Sequence, residues 1–535
     1  MTPFSTSRRT LLAAAAVTAG LTAASAWSDD RPVATTQKGR VRGYLNQGIK
    51  VFKGIPYGAD TAATRFLPPV AASSWTGVLD TVAFGPRAPQ PPGRPSGFFP
   101  ERSDEEPVGE DCLKLNVWTP GLADGRKRPV MVWFHGGGYV NFSANTDLYD
   151  GTRLCRKGDV VVVTLNHRLN LFGHLYLAEV SGGAWPDSGN VGMLDLILAL
   201  EWVRDNIAAF GGDPGNVMIF GESGGGAKCA TLMAMPRARG LFHKVATQSG
   251  QQITATRPET ANAATARVLE ALNLTPDNLE PLKTLPMETL IRASSAARVY
   301  GPVRDGGALP RDPFDPDAPP LSADIPMLMG NNHDETTLLI GLGDPETFEL
   351  TWETLPEKIA RHIGTFLPPL TPQDVVAKYR ALYPDRSPSQ IFFAASTAFR
   401  SWRGQVIEAD RRAAQPAGAA PTWVFQLDWQ SPVQGGRLGA PHALDIPLGF
   451  DNVAVAPAMV GDGAEAQRMA DLMSDAWLAF AHTSNPAAPS LPAWPAFDLE
   501  RRATMIFDLP SRVVDDPRGE ERRFVAQVPY LQPGT

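Results

Sequence analysis

The chain has 535 residues, 43% of them hydrophobic and 20% charged, the composition of an ordinary folded protein. Its 49 basic and 56 acidic residues leave a net charge of −7, and no Lys/Arg block interleaves with aromatics, which excludes nucleic acid as an expected partner. Three cysteines are too few for a disulfide framework and no Cys/His cluster has zinc spacing, so no metal and no other cofactor is expected.

In chain order the first segment reads as a leader. Ser7-Arg8-Arg9-Thr10-Leu11-Leu12 precedes an Ala-rich, weakly apolar run to Ala23 and then Ala24-Ser25-Ala26. That is a charged n-region, an apolar h-region and a small-residue cleavage site. The paired arginines point to twin-arginine export, with residues 1–26 removed and 27–535 forming one domain of a periplasmic or secreted protein. The run falls short of the roughly 20 apolar residues that a spanning helix needs. Nothing later is long and apolar enough to anchor the mature chain.

Next come short apolar runs at Val130–Phe134, Val160–Leu165, Val217–Phe220, Ile325–Met329 and Thr422–Leu427. Alternation disappears when both faces of a strand are covered, so these read as parallel strands of a buried sheet. Between the second and third, Met193–Ile207 places Leu194, Ile197, Leu198, Trp202 and Ile207 at helical spacing, which completes a strand–helix–strand unit. Arg468–His482 is a second amphipathic helix, with Met469, Leu472, Met473, Ala476 and Phe480 on one stripe. Residues 251–320 and 340–415 mix helix and loop and are expected to cover the sheet's carboxyl edge. The fold class is α/β, with a central, mostly parallel twisted sheet flanked by helices.

The strand at Val217–Phe220 runs into Gly221-Glu222-Ser223-Gly224-Gly225 and then a helix-compatible segment. This is G-x-S-x-G in the strand–turn–helix setting that presents a serine hydroxyl above a sheet. A phosphate-binding loop is the competing reading, but it needs Lys at 227 and Ser or Thr at 228, where Ala227 and Lys228 stand. A serine hydroxyl is a poor nucleophile without a base, and in this arrangement the acid and then the histidine follow the serine. Of eight histidines, His135, His167 and His174 precede Ser223, and His243 follows it too closely for an intervening acid. His333 lies in the acid's own loop, while His362 and His482 sit in apparent helices. His442 remains, in the loop Gly439-Ala440-Pro441-His442-Ala443 after the last expected strand. The acid should sit just past a strand end, where Asn332-His333-Asp334-Glu335 follows Met329 by a few residues. Physical reasoning leaves Asp334 and Glu335 both open, since either could orient an imidazole while the other caps the next helix. Upstream, His135-Gly136-Gly137-Gly138-Tyr139 follows a strand directly, and its glycines can aim backbone amides at a developing oxyanion, with Gly224 adding a third. Tyr139 and Phe142 are candidates both for a substrate pocket and for packing, and Glu222 both for tuning the site and for shaping the turn. An imidazole near its ordinary pKa loses its basic form below about pH 6, so activity is expected to fall there.

These residues, in longer frames, resemble the type B carboxylesterase family, relatives of the cholinesterases and para-nitrobenzyl esterases. Phe210-Gly211-Gly212-Asp213-Pro214 and Val217-Met218-Ile219-Phe220 lead into the serine motif as in that family. Glu110-Asp111-Cys112-Leu113-Lys114-Leu115-Asn116-Val117-Trp118-Thr119-Pro120 fits a second signature except at Lys114. Weaker echoes run from Gly54-Ile55-Pro56-Tyr57 through Asn166-His167-Arg168-Leu169 to Ala493-Trp494-Pro495. The resemblance implies an α/β-hydrolase fold and a serine esterase acting on small carboxylic esters. Ser223 is then the nucleophile, Glu335 the acid and His442 the base, with Gly137, Gly138 and Gly224 in the oxyanion hole. Thr336 replaces the glycine usual after that acid, and Asp445 replaces the usual glutamate in the motif that follows His442. The resemblance also implies a cysteine partner for Cys112 where Ala88 stands, so Cys112 is expected to be a free thiol. Non-enzymatic relatives typically lose a triad member, whereas this chain keeps all three in order. Acyl transfer to another acceptor and amide or carbamate cleavage are the enzymatic alternatives.

Overall fold

A computed structural model describes residues 31–92, 97–99 and 106–533; the leader expected over 1–26 lies outside the described residues. In chain order the strands are β1 (Val33–Thr35), β2 (Arg40–Arg42), β3 (Tyr44–Asn46), β4 (Ile49–Pro56), β5 (Val78–Asp80), β6 (Lys114–Thr119) and β7 (Arg128–Phe134). There follow β8 (Val161–Leu165), β9 (Gly212–Glu222), β10 (Lys244–Gln248), β11 (Met327–Asn332), β12 (Thr422–Leu427), β13 (Ala503–Phe507) and β14 (Arg512–Asp515). Strands β1, β2 and β5 form a small sheet, and the other eleven form one sheet in the order β14-β13-β12-β11-β10-β9-β7-β8-β6-β4-β3. From β13 to β8 every pairing is parallel. The antiparallel pairings lie at the two ends.

All five strands read from the sequence are present in this parallel middle. One is displaced: the run expected at Ile325–Met329 pairs only from Met327 and continues to Asn332. Pro326 has no N–H to give to a ladder, whereas the polar Gly330, Asn331 and Asn332 pair with Phe425, Gln426 and Leu427 of β12. Polar residues at a strand's carboxyl end escape a reading built on apolar runs. Strand β9 is likewise longer than expected and carries its ladder to Glu222, the residue before Ser223. The expected helix spans Val191–Asn206 between β8 and β9, and β7 lies between those two strands in the sheet.

Successive strand residues face opposite sides, and each side has its own core. Val130, Val132, Val161, Val163, Val217 and Ile219 belong to one cluster. Met131, Trp133, Val162, Met218 and Phe220 belong to the other. The helix Ala464–Thr483 packs on the second side through Met469, Met473, Ala476 and Phe480, with Leu472 at its edge. Residues 251–320 contribute Val268, Leu282, Leu290 and Phe314 to the first cluster. The 340–415 stretch instead builds much of a third core, around Leu355, Ile359, Tyr379, Phe392 and Phe399. Among the described residues no helix is long and apolar enough to cross a membrane.

Candidate active site

Strand β9 ends at Glu222 and a helix begins at Gly224, so Ser223 alone makes the corner. Ser223 holds φ 55° and ψ −125°, a conformation that costs a residue with a Cβ and persists only where its surroundings enforce it. Two backbone bonds enforce it: Ser223 N donates to Gln248 O at 2.8 Å, and Ala227 N donates to Ser223 O at 3.0 Å. The motif glycines are steric requirements. A Cβ on Gly221 would stand 2.5 Å from the Gly225 carbonyl carbon, and one on Gly225 would stand 2.0 Å from Phe134 O.

That Phe134 carbonyl ends β7, from which His135-Gly136-Gly137-Gly138 leaves. Gly137 and Gly138 take φ 81° and 59°, values open to glycine at little cost. A Cβ on Gly224 would meet Gly138 O at 2.3 Å and Gly138 N at 2.5 Å. The backbones bearing all three expected oxyanion donors are therefore in van der Waals contact. Beneath them Lys228 is fully buried, and its Nζ donates to His135 O at 2.9 Å. Burial pushes this amine down to about 7. In the sequence Lys228 stands out only as the misplaced lysine of a phosphate loop; its setting amid Ala227, Cys229 and Ala230 is the signal of its burial.

The imidazole of His442 is 7% exposed and lies between two glutamates. Its Nδ1 donates to Glu335 Oε2, and its Nε2 is 3.1 Å from Glu222 Oε1. Glu335 is fully buried, and its Oε1 accepts from Asn331 Nδ2 and from Asn332 N, each at 2.9 Å. The alternative left open by physical reasoning is thereby decided for contact with the imidazole. Asp334 instead takes His333 Nδ1 on Oδ1 at 2.9 Å and Ala440 N on Oδ2 at 3.0 Å, and its side chain caps nothing. Asp445, 0% exposed, accepts from Gln248 Nε2 at 2.9 Å and Asn332 Nδ2 at 3.2 Å, which ties the His442 loop to the ends of β10 and β11. Thr336, where a glycine was expected, is accommodated: its hydroxyl meets Phe393 O, Ser396 and Thr397.

The electrostatics follow from this crowding of carboxylates. Burial disfavours a charged His442, but Glu222, Glu335 and Asp445 together outweigh it and lift the imidazole to about 9. Burial likewise pushes the Glu222 carboxyl up to about 8 and Asp445 up to about 6. The expectation of a near-normal imidazole is thus corrected. The three carboxylates are drawn from separate loops, so the shift is a tertiary effect.

Not every expected residue meets its partner. The Ser223 side chain is half-buried and makes no hydrogen bond among the described residues; His442 Nε2 faces Glu222, its chain neighbour, instead. Tyr139 falls on the packing side of its two readings. It is buried, its hydroxyl donates to Gln252 Oε1 at 3.1 Å, and its ring packs edge-on to His174. Phe142 is half-buried, stacks edge-to-face on Phe99 and abuts the glycine loop, where a Cβ on Gly137 would strike its ring. His362 and His482 sit in helices, bonded to Asp344 and to Gly158 O. His243 accepts from Val217 N. Cys112, Cys155 and Cys229 are all buried free thiols, as expected for Cys112. Among the described residues no group of His, Cys, Asp and Glu is disposed to hold a metal.

A parallel sheet that turns through a strained serine into a helix, with an acid and a histidine on the loops after its later strands, is the α/β-hydrolase architecture. Residues 30–525 match the profile described as the carboxylesterase family. This chain belongs to that family and is a carboxylic ester hydrolase. It is 35% identical over 506 residues to the para-nitrobenzyl esterase of Bacillus subtilis, covering 92% of this chain and 98% of that one. To the phenmedipham hydrolase of Pseudarthrobacter oxydans it is 32% identical over 499 residues, covering 89% and 95%. The solved carboxylesterase of Geobacillus stearothermophilus superposes with a TM-score of 0.80 at 39% identity, over 92% of this chain and 99% of that one.

Proposed function

We propose that the chain hydrolyses small carboxylic esters through an acyl-enzyme on Ser223, with His442 as base and Glu335 as the acid that orients it. The observation that carries this reading is the imidazole held by Glu335 at Nδ1 while Nε2 is directed at the residue preceding Ser223. In the first half-reaction neutral His442 takes the Ser223 proton as Oγ attacks the ester carbonyl. The oxyanion is received by the amides of Gly137, Gly138 and Gly224, each worth roughly 3 kcal/mol in such sites. The tetrahedral adduct collapses, His442 gives its proton to the departing alcohol, and the acyl group stays on Oγ. Water then attacks by the same route, releasing the acid and restoring the serine. The Glu222 carboxyl holds the resting imidazole through its 3.1 Å contact with Nε2, and this contact is exchanged for the Ser223 hydroxyl when substrate enters.

An organophosphonate probe followed by peptide mapping tests the assignment. Labelling on Ser223 alone is expected, with Ser223→Ala unlabelled and its kcat down by about 10⁶-fold. A stoichiometric label on any other residue overturns it.

The leader supports export as a periplasmic or secreted enzyme by the twin-arginine route. N-terminal sequencing of exported protein should begin at Trp27, and replacing Arg8 and Arg9 by lysine should keep the protein in the cytoplasm. Export undiminished in that variant overturns the twin-arginine reading.

A further inference from the structure

Between the acid loop and the 430–439 loop lies a polar cavity of about 230 Å³ whose lining includes none of Ser223, Glu335 and His442. Its polar walls are His333, Asp334, Arg386, Gln390, Gln430 and Arg437. The two guanidiniums are its defining feature. Arg386 lies over the Tyr383 ring at 4.0 Å and Arg437 over the Phe348 ring at 4.4 Å. Stacking fixes a guanidinium while leaving its in-plane N–H donors available. Among the described residues neither arginine has a carboxylate ion-pair partner. Asp334 is the one acidic side chain in the lining, and both its oxygens are already engaged, by His333 Nδ1 and by Ala440 N. Asp334 attracts Arg386 and offsets part of the two guanidinium charges, so the cavity keeps a net positive charge beside the side-chain amides of Gln390 and Gln430.

We propose that this cavity binds a small oxyanion, the carboxylate or phosphate group of a small molecule, clamped between Arg386 and Arg437. Planar guanidiniums favour such oxygens because each can give two parallel hydrogen bonds. The site adjoins the catalytic loops without belonging to them. Asp334 precedes Glu335, exchanges backbone and side-chain bonds with Ala440, and closes on Gly439, while Thr337 Oγ1 donates to Leu438 O at 2.7 Å. An anion here joins the 430–439 loop, which leads to His442, to the helix Pro388–Thr397 and the turn before it. Its class includes the carboxylate that ester hydrolysis releases, which would give the enzyme a means of sensing its own product.

Isothermal titration of the intact enzyme with inorganic phosphate, acetate and succinate, at matched ionic strength against chloride, tests the proposal. Saturable one-to-one binding is expected, weakened at least about tenfold in Arg386→Gln/Arg437→Gln through loss of charge-assisted bonds. Hydrolysis of a simple nitrophenyl ester should be retained in that variant. A response to acetate and succinate identifies the carboxylate source, and one to phosphate alone the phosphate source; both support the site. Arg437→Gln by itself, at an exposed position, and Gln390→Glu, which adds a negative charge to the wall, should each weaken binding should the double variant fold poorly. Absence of saturable binding by all three anions, equal binding of chloride, or affinity unchanged in the variants overturns it.

Discussion

His442 illustrates how one imidazole is tuned by what surrounds it. Two glutamates flank it and Asp445 lies close behind, and their attraction for its charged form exceeds the penalty of burial. A base must be neutral to accept the serine proton, so kcat/KM should rise with pH up to about 9. Glu222→Gln removes the anion at Nε2, lowers the imidazole pKa, and should move the acid limb to lower pH by about 1 unit or more. A limb centred near 6.5 in both proteins would refute this account. Glu408 is a second residue whose charge is set by burial. It is fully buried, neither carboxyl oxygen has a hydrogen-bond partner among the described residues, and burial, only partly offset by Arg412, pushes it up to about 8. An unfolded glutamate titrates near about 4.3, so between these values the native chain holds a proton that the unfolded chain has lost. Its contribution to stability therefore declines as pH rises through that window. Glu408→Gln should melt several degrees higher than the parent at pH 8, with the gap narrowing towards pH 5; an equal melting temperature at both pH values would count against it.

At the scale of elements, the site depends on backbones approaching closer than side chains permit. The corner after β9, the loop after β7 and the turn after β10 touch through Gly225, Gly138 and Gly250; a Cβ on Gly250 would stand 2.0 Å from Ser223 O. Gly225→Ala should therefore cost about 1–3 kcal/mol in overpacking, read from the denaturant midpoint. It should also reduce kcat, because the corner and the oxyanion loop are forced apart together. Gly225 and Gly138 were legible in the sequence because local motifs impose them; Gly250 belongs to neither motif, and its contact with Ser223 O is set by the tertiary approach of the two loops. The boundaries of β11 were not legible, because hydrogen bonding to β12 extends it over polar residues. Lys228 escaped for a related reason: its role lies in reaching the carbonyl of a residue 93 positions away.

Across the whole molecule, parallel strands bring together loops that are remote in the chain. Ser223, Glu335 and His442 follow β9, β11 and β12, whose carboxyl ends align because every pairing between them is parallel. No covalent staple contributes among the described residues. In place of a disulfide at Cys112, the neighbouring loop is held by a parallel bridge between Arg87 and Val108 and by the Arg87–Glu106 ion pair at 3.3 Å. The thermal transition and the activity should then be the same with and without dithiothreitol; a lowered transition under reduction would reveal a bridge.

Local chemistry was determined by the sequence alone. The serine corner, the glycine run and a loop-borne histidine each need particular residue types at fixed short spacing, and such constraints are written contiguously. Only the tertiary structure decided between Asp334 and Glu335, turned Tyr139 inward, set Glu222 against His442 and raised that imidazole's pKa. Each of these depends on distances between loops separated by a hundred residues or more, or on the water excluded where they meet, and neither quantity is encoded in any one stretch of chain.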